Sequence, residues 1–177
     1  MPQTPDVELE YTFLAKHLPE EIRGTAPKRL VDIYIPDSNM SHPRLRLRQK
    51  GDNYELTKKT PLESGDASAH AEITIPLDRQ EFDAISTVSN KRVVKNRYAV
   101  DINGYPAEVD VFLEDLSGLV LIDFEFSSRS DQEAFVAPSV CLADVTQEDF
   151  IAGGLLAGKS YKDISADLDR FNYTAID

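Results

Sequence analysis

Charged side chains recur at every second position in several stretches of this chain, and each stretch keeps one sign. Acidic pairs stand at Glu8/Glu10, Glu108/Asp110 and Asp123/Glu125, and basic pairs at Arg46/Arg48 and Lys95/Arg97. Alternation at period two is the pattern of a strand with one polar face. Neighbours two apart lie about 6.8 Å from each other on that face, and like charges opposed across a sheet destabilise it. A solvent-facing surface would mix signs freely. Segregation by strand therefore points to a closed antiparallel barrel with a polar interior, where carboxylates hold cations and guanidinium groups hold an anion. About eight strands give an interior wide enough for one small ligand.

The densest basic stretch spans residues 44–59. Arg44, Arg46 and Arg48 share one face of a strand and Leu45 and Leu47 the other. Gly51-Asp52 reads as a two-residue hairpin turn, which sets Arg48 opposite Glu55, Arg46 opposite Thr57 and Arg44 opposite Lys59. That register makes Lys59, not Lys58, the lysine on the arginine face.

Elsewhere the pattern predicts strands over residues 7–14, 30–35, 70–75, 92–100, 107–112 and 119–126. Hairpin signals stand at Asn103-Gly104 and a turn at Ser117-Gly118. Residues 16–23 read as a short helix. Asp78 with Glu81 forms a capping-box pattern for a helix to about Val88. Residues 37–43 and 62–68 read as loops. The tail from Ser130 reads as helical, with a helix start at residues 146–149 and a weak point at Gly153-Gly154. Gly158-Lys159-Ser160 lacks the upstream glycine of a phosphate loop. His17 and His42 read as surface residues.

With 177 residues and 41% hydrophobic content, the chain suits one domain spanning 1–177. No run approaches the roughly 18 apolar residues of a membrane helix, and Met1-Pro2-Gln3-Thr4-Pro5-Asp6 lacks a secretion pattern, so the expected place is the cytoplasm without membrane contact. Cys141 is the single cysteine, which excludes an internal disulfide and reads as a buried thiol. A net charge of -12 opposes nucleic-acid binding. Yet 10 of the 19 Lys and Arg residues fall within residues 44–59 and 91–97, and positive charge concentrated inside an acidic shell suits a small anionic ligand.

These motifs resemble those of the CYTH domain, or triphosphate tunnel metalloenzyme, family over most of the chain to about residue 157. Its opening Glu-x-Glu-x-Lys corresponds to Glu8-Leu9-Glu10-Tyr11-Thr12. The basic hairpin is similar to the family's Leu-Arg-x-Arg and Leu-Thr-x-Lys, here Leu45-Arg46-Leu47-Arg48 and Leu56-Thr57-Lys58-Lys59. Arg-x-Glu becomes His70-Ala71-Glu72, Lys-x-Arg is Lys95-Asn96-Arg97, and the acidic strands are Glu108-Val109-Asp110 and Asp123-Phe124-Glu125.

The resemblance implies an α+β fold, an eight-stranded antiparallel β-barrel or tunnel with flanking helices. It implies a triphosphate bound by Arg46, Arg48, Lys59, Lys95 and Arg97 with Glu72 beside them. It also implies Mg²⁺ or Mn²⁺ on Glu8, Glu10, Asp110, Asp123 and Glu125, and catalytic roles for Glu8, Glu10, Lys59 and Glu125. Metal-dependent hydrolysis of a triphosphate, inorganic or organic, is the first expectation. A class IV-type adenylate cyclase and a non-catalytic polyphosphate- or nucleotide-binding module are the alternatives. Two positions depart from the family: Thr12 stands where lysine is usual and His70 where arginine is common. Oligomeric state is left open, a homodimer among the options.

Overall fold

The alternating stretches become nine strands in a computed structural model that describes residues 6–38 and 42–176. They are β1 (Asp6–Ala15), β2 (Lys28–Ile35), β3 (Leu45–Lys50), β4 (Asn53–Pro61), β5 (Ala69–Leu77), β6 (Arg92–Ile102), β7 (Tyr105–Phe112), β8 (Val120–Phe126) and β9 (Cys141–Asp144). The N-terminal residues 1–5 and the centre of the loop expected over 37–43 lie outside the described residues.

Hydrogen bonding runs β5-β4-β3-β2-β6-β7-β8-β1, all neighbours antiparallel, and a further pairing of β5 with β1 closes the ring into an eight-stranded barrel. Strand β1 divides one edge between two partners: Asp6 to Leu9 pair with β5, while Phe13 to Ala15 pair with β9. The β3–β4 register follows the turn at Gly51, whose φ of 60° favours glycine, and places Arg46 opposite Thr57 and Arg48 opposite Glu55. Lys59 donates its backbone N–H to Arg44, and Lys58 is exposed, so the inward lysine is Lys59.

Apolar residues cover the outside of the barrel in two layers, and a third apolar cluster continues the inward face at one end of the lumen. Helix α1 (Arg79–Ser86) carries the Asp78–Glu81 capping box and buries Phe82 against Leu47 and Ile33, with the Tyr54 ring 4.9 Å away. It stops two residues short of Val88. On the far side Phe13, Val109, Ile122 and Phe124 form a second layer with Phe135, behind α2 (Arg129–Glu133). Cys141 is buried in that layer. A third cluster joins Leu14, Tyr34, Val93, Phe112 and Leu121 to Phe150 and Ile151 of a 3₁₀ turn (Asp149–Ile151), to Leu156 of α3 (Gly153–Leu156) and to Ile164 and Leu168 of α4 (Tyr161–Asp169). Among the described residues no helix is long and apolar enough to cross a membrane.

Three local expectations are corrected. Residues 16–23 form only a 3₁₀ turn, Glu20–Ile22, because Pro19 precedes it without a side-chain cap and Gly24 leaves the helix at φ 78°. The tail is not wholly helical: residues 141–144 become β9, since the half of the β1 edge that β5 does not cover needs hydrogen-bond partners. Thr146 caps no helix, and its Oγ1 accepts the backbone N–H of Thr12 at 3.0 Å. Gly153-Gly154 is not a break either. It opens α3 pressed against the barrel, where a Cβ on Gly153 would strike the Tyr34 hydroxyl and one on Gly154 the Pro43 carbonyl.

Candidate active site in the barrel lumen

The inward faces of these strands enclose a cavity of about 490 Å³, a volume in the usual range for small-ligand sites. All eleven residues singled out from the sequence line it: Glu8, Glu10, Arg46, Arg48, Lys59, Glu72, Lys95, Arg97, Asp110, Asp123 and Glu125. They fall into three neighbourhoods.

On β1, β4 and β5, Lys59 reaches into a carboxylate cluster. Its ammonium pairs with Glu8 and stands 3.7 Å from Glu10 and 3.6 Å from Glu72. The β1–β5 register sets Glu8 opposite His70, whose Nδ1 lies 3.8 Å from Glu10. Burial pushes the Glu10 carboxyl up to about 7, with Glu8 and Asp123 adding to the effect and Lys59 opposing it. Burial also acts to raise Glu8, but Lys59, aided by Arg46, outweighs it and holds Glu8 below its ordinary value. One atom each from Glu8, Glu10 and His70 lies within 4.8 Å of the others, a spacing that suits a divalent cation.

On β6, β7 and β8 the basic and acidic rows interlock. Arg97 donates from Nε and Nη2 to the two oxygens of Asp110, both at 2.7 Å, also pairs with Glu108, and lies 3.5 Å from Asp123. Lys95 pairs with Asp110 as well. Despite burial, Arg97 and Lys95 hold Asp110 far below the usual carboxylate range. Asp123 moves the other way, raised by burial and by Asp110. The hydroxyl of Thr12 donates to Asp123 at 2.7 Å, so the position expected to carry lysine supplies a short hydrogen bond and no charge. Glu125 is raised by burial, Glu108 and Glu8, and makes no ion pair among the described residues.

On β2 and β3, Arg48 donates Nε to Asp32 Oδ1 at 2.6 Å and Nη2 to Oδ2 at 2.7 Å. Arg48 is 6% exposed and Asp32 1% exposed, so this cation is already neutralised by the protein. Arg46 differs: among the described residues no carboxylate pairs with it, its Nε is buried without a hydrogen-bond partner, and the Tyr34 hydroxyl is its polar neighbour. The lumen therefore gathers every residue picked from the sequence but not every one as a free ligand-binding group. Asp110, Arg48, Lys59, Lys95 and Arg97 are held in ion pairs, and the tight three-ligand group contains His70 in place of Asp110, Asp123 or Glu125. Sequence reasoning gave no role to Asp32 or to Tyr34. Their signal was the inward face of β2, where Asp32 interrupts an apolar strand directly opposite Arg48.

The protein is thus a closed antiparallel barrel whose lumen sets arginine and lysine rows against carboxylate pairs, a charged tunnel. The CYTH domain model matches residues 7–136, and the chain belongs to that family. It is 31% identical over 143 residues to an inorganic triphosphatase of Nitrosomonas europaea, across 80% of this chain and 90% of that protein. A crystal structure of an inorganic triphosphatase superposes with a TM-score of 0.62 at 28% identity, covering 85% of this chain and 93% of the other. A conserved hypothetical protein from Pyrococcus furiosus shares the fold at 21% identity, with a TM-score of 0.51 over 72% of this chain and 83% of its own.

Proposed function

We propose that this chain hydrolyses the terminal phosphoanhydride of a triphosphate, inorganic tripolyphosphate first, in a reaction that depends on Mg²⁺ or Mn²⁺. The observation that carries the reading is Arg46. Its Nε is buried without a hydrogen-bond partner and no carboxylate pairs with it among the described residues, so its guanidinium is the lumen cation placed to bind an anion. The 31% identical inorganic triphosphatase supports the choice of a triphosphate as that anion.

The donor set fits a divalent cation: Glu8 and Glu10 offer carboxylate oxygens, and the buried Nδ1 of His70 beside them is unpartnered. Bound there, the ion would neutralise phosphate oxygens and make a water more acidic. Arg46 and Lys59 bind and orient the phosphate chain, and Lys95 and Arg97 extend the positive field that the transferring phosphoryl group requires. Glu125, raised and outside every ion pair among the described residues, accepts the proton of the attacking water. That water forms a bond to the terminal phosphorus while the bridging P–O bond breaks, releasing orthophosphate and pyrophosphate from tripolyphosphate. Phosphate release from tripolyphosphate with Mg²⁺ or Mn²⁺ tests the reading, and release no greater than that of Glu10→Gln refutes it. Calorimetric binding without turnover identifies a binding module, and cyclic AMP formed from ATP identifies a cyclase.

A further inference from the structure

His70 is the clearest place where this lumen departs from its family's pattern, and its surroundings say what the replacement does. The β1–β5 register fixes it opposite Glu8. Its side chain is 15% exposed, its Nδ1 is buried with no hydrogen-bond partner among the described residues, and Glu10 lies 3.8 Å from that atom. An imidazole nitrogen desolvated beside two carboxylates costs free energy unless something accepts its lone pair. Lys59 pairs with Glu8 and makes no hydrogen bond to His70 Nδ1.

We propose that His70 Nδ1 is a ligand, with Glu8 and Glu10, for a divalent transition-metal ion, giving this lumen a preference for Mn²⁺ over Mg²⁺. Ligand chemistry carries the selectivity: both ions take the oxygen donors of Glu8 and Glu10, but Mg²⁺ sheds water reluctantly and binds an imidazole nitrogen more weakly than the softer Mn²⁺ does. Coordination through Nδ1 requires the tautomer with its proton on Nε2. The ammonium of Lys59 then leaves Glu8, and Glu72 at 3.6 Å is the carboxylate that receives it in the absence of substrate.

The inference rests on the metal-dependent reading above, but its test reads nitrogen coordination and not turnover. The full chain is titrated with Mn²⁺ and with Mg²⁺ by calorimetry, and the Mn²⁺-loaded protein is examined by pulsed electron paramagnetic resonance for coupling to ¹⁴N. Wild type should show that coupling and bind Mn²⁺ at least about 10-fold more tightly than Mg²⁺. His70→Ala should lose the coupling and about 10- to 100-fold in Mn²⁺ affinity, the range seen when metal-site partners are removed. Its Mg²⁺ affinity should change less than about 3-fold. His70→Gln, which keeps size and polarity and offers oxygen, should fold as wild type by circular dichroism and still lack the coupling. Mn²⁺ binding without ¹⁴N coupling in wild type, or an equal Mn²⁺/Mg²⁺ ratio in wild type and His70→Ala, overturns the role of His70 while leaving metal-dependent hydrolysis standing. Failure of both ions to bind overturns both.

Discussion

Replacing Asp32 by Asn tests whether the Arg48–Asp32 pair is a structural brace. The carboxylate is 1% exposed and meets Arg48 through two bonds of 2.6 and 2.7 Å, with Arg48 itself 6% exposed. Asparagine keeps the shape and one acceptor but turns the other oxygen into a donor facing a guanidinium donor. One charge-assisted hydrogen bond is lost, worth about 1.5–3 kcal/mol. The guanidinium also stays buried without a counter-charge, which brings the total to about 3–5 kcal/mol, as when one partner of a buried pair is removed. For a chain of this length each kcal/mol moves the midpoint by about 2–4 °C, so Tm should fall by about 6–20 °C. The chain has no tryptophan, so urea unfolding followed by far-ultraviolet circular dichroism is the suitable assay. The double variant Asp32→Leu, Arg48→Met removes both charges and should recover most of the loss. A loss below about 1 kcal/mol in Asp32→Asn, or a double variant as unstable as the sum of its singles, refutes the brace.

Three further outcomes are expected. Lys59→Met removes the ammonium that competes for Glu8 and Glu10, so Mn²⁺ affinity should rise about 10-fold, a gain of about 1.4 kcal/mol, while metal-free tripolyphosphate binding weakens. Unchanged Mn²⁺ affinity by calorimetry contradicts this. Gly153→Ala drives a methyl into the Tyr34 hydroxyl beside Arg46 and should cost about 1–3 kcal/mol in urea unfolding, and an unshifted transition would show that α3 can move away. Stability of the metal-free protein should peak near pH 4.5–5, about two units below neutrality. Asp32 and Asp110 have folded values below their unfolded ones, so their contribution is present above about pH 4 and lost as pH falls further. Glu10 is raised to about 7, so its contribution is present below its ordinary value near 4.5 and is lost as pH rises toward 7, about 3 kcal/mol in all. Saturating Mn²⁺ should move the maximum upward, and a metal-free maximum at pH 7 or above counts against the raised Glu10.

The barrel was legible because its strands alternate. Period two, hairpin signals at Gly51 and Asn103-Gly104, and sign sorting all agree on one inward face, and that agreement also set Lys59 inside and Lys58 outside. Strand β9 was not legible, because a four-residue segment has too little pattern of its own and becomes a strand only where β1 leaves an edge open. The site residues were legible as a set, but their division of labour was not. Whether an inward arginine meets substrate or a carboxylate depends on cross-strand neighbours such as Asp32, and Thr12 shows its bond to Asp123 only once β1 and β8 are aligned. The glycines of α3 read as a breaker because sequence alone does not show Tyr34 and Pro43 waiting in the space above them.

The ring of strands is joined to itself by a short zipper. Among the described residues four register pairs, Asp6 with Glu72 through Leu9 with Ala69, fasten β1 to β5, and the pair Glu8 with His70 sits among them. The last teeth of the zipper are thus also the cation's proposed clasp, so a bound ion fastens the barrel shut. Amide hydrogens of residues 6–9 and 69–72 would exchange most slowly when the clasp is filled, and unfolding that starts by unzipping would have to expel the ion first.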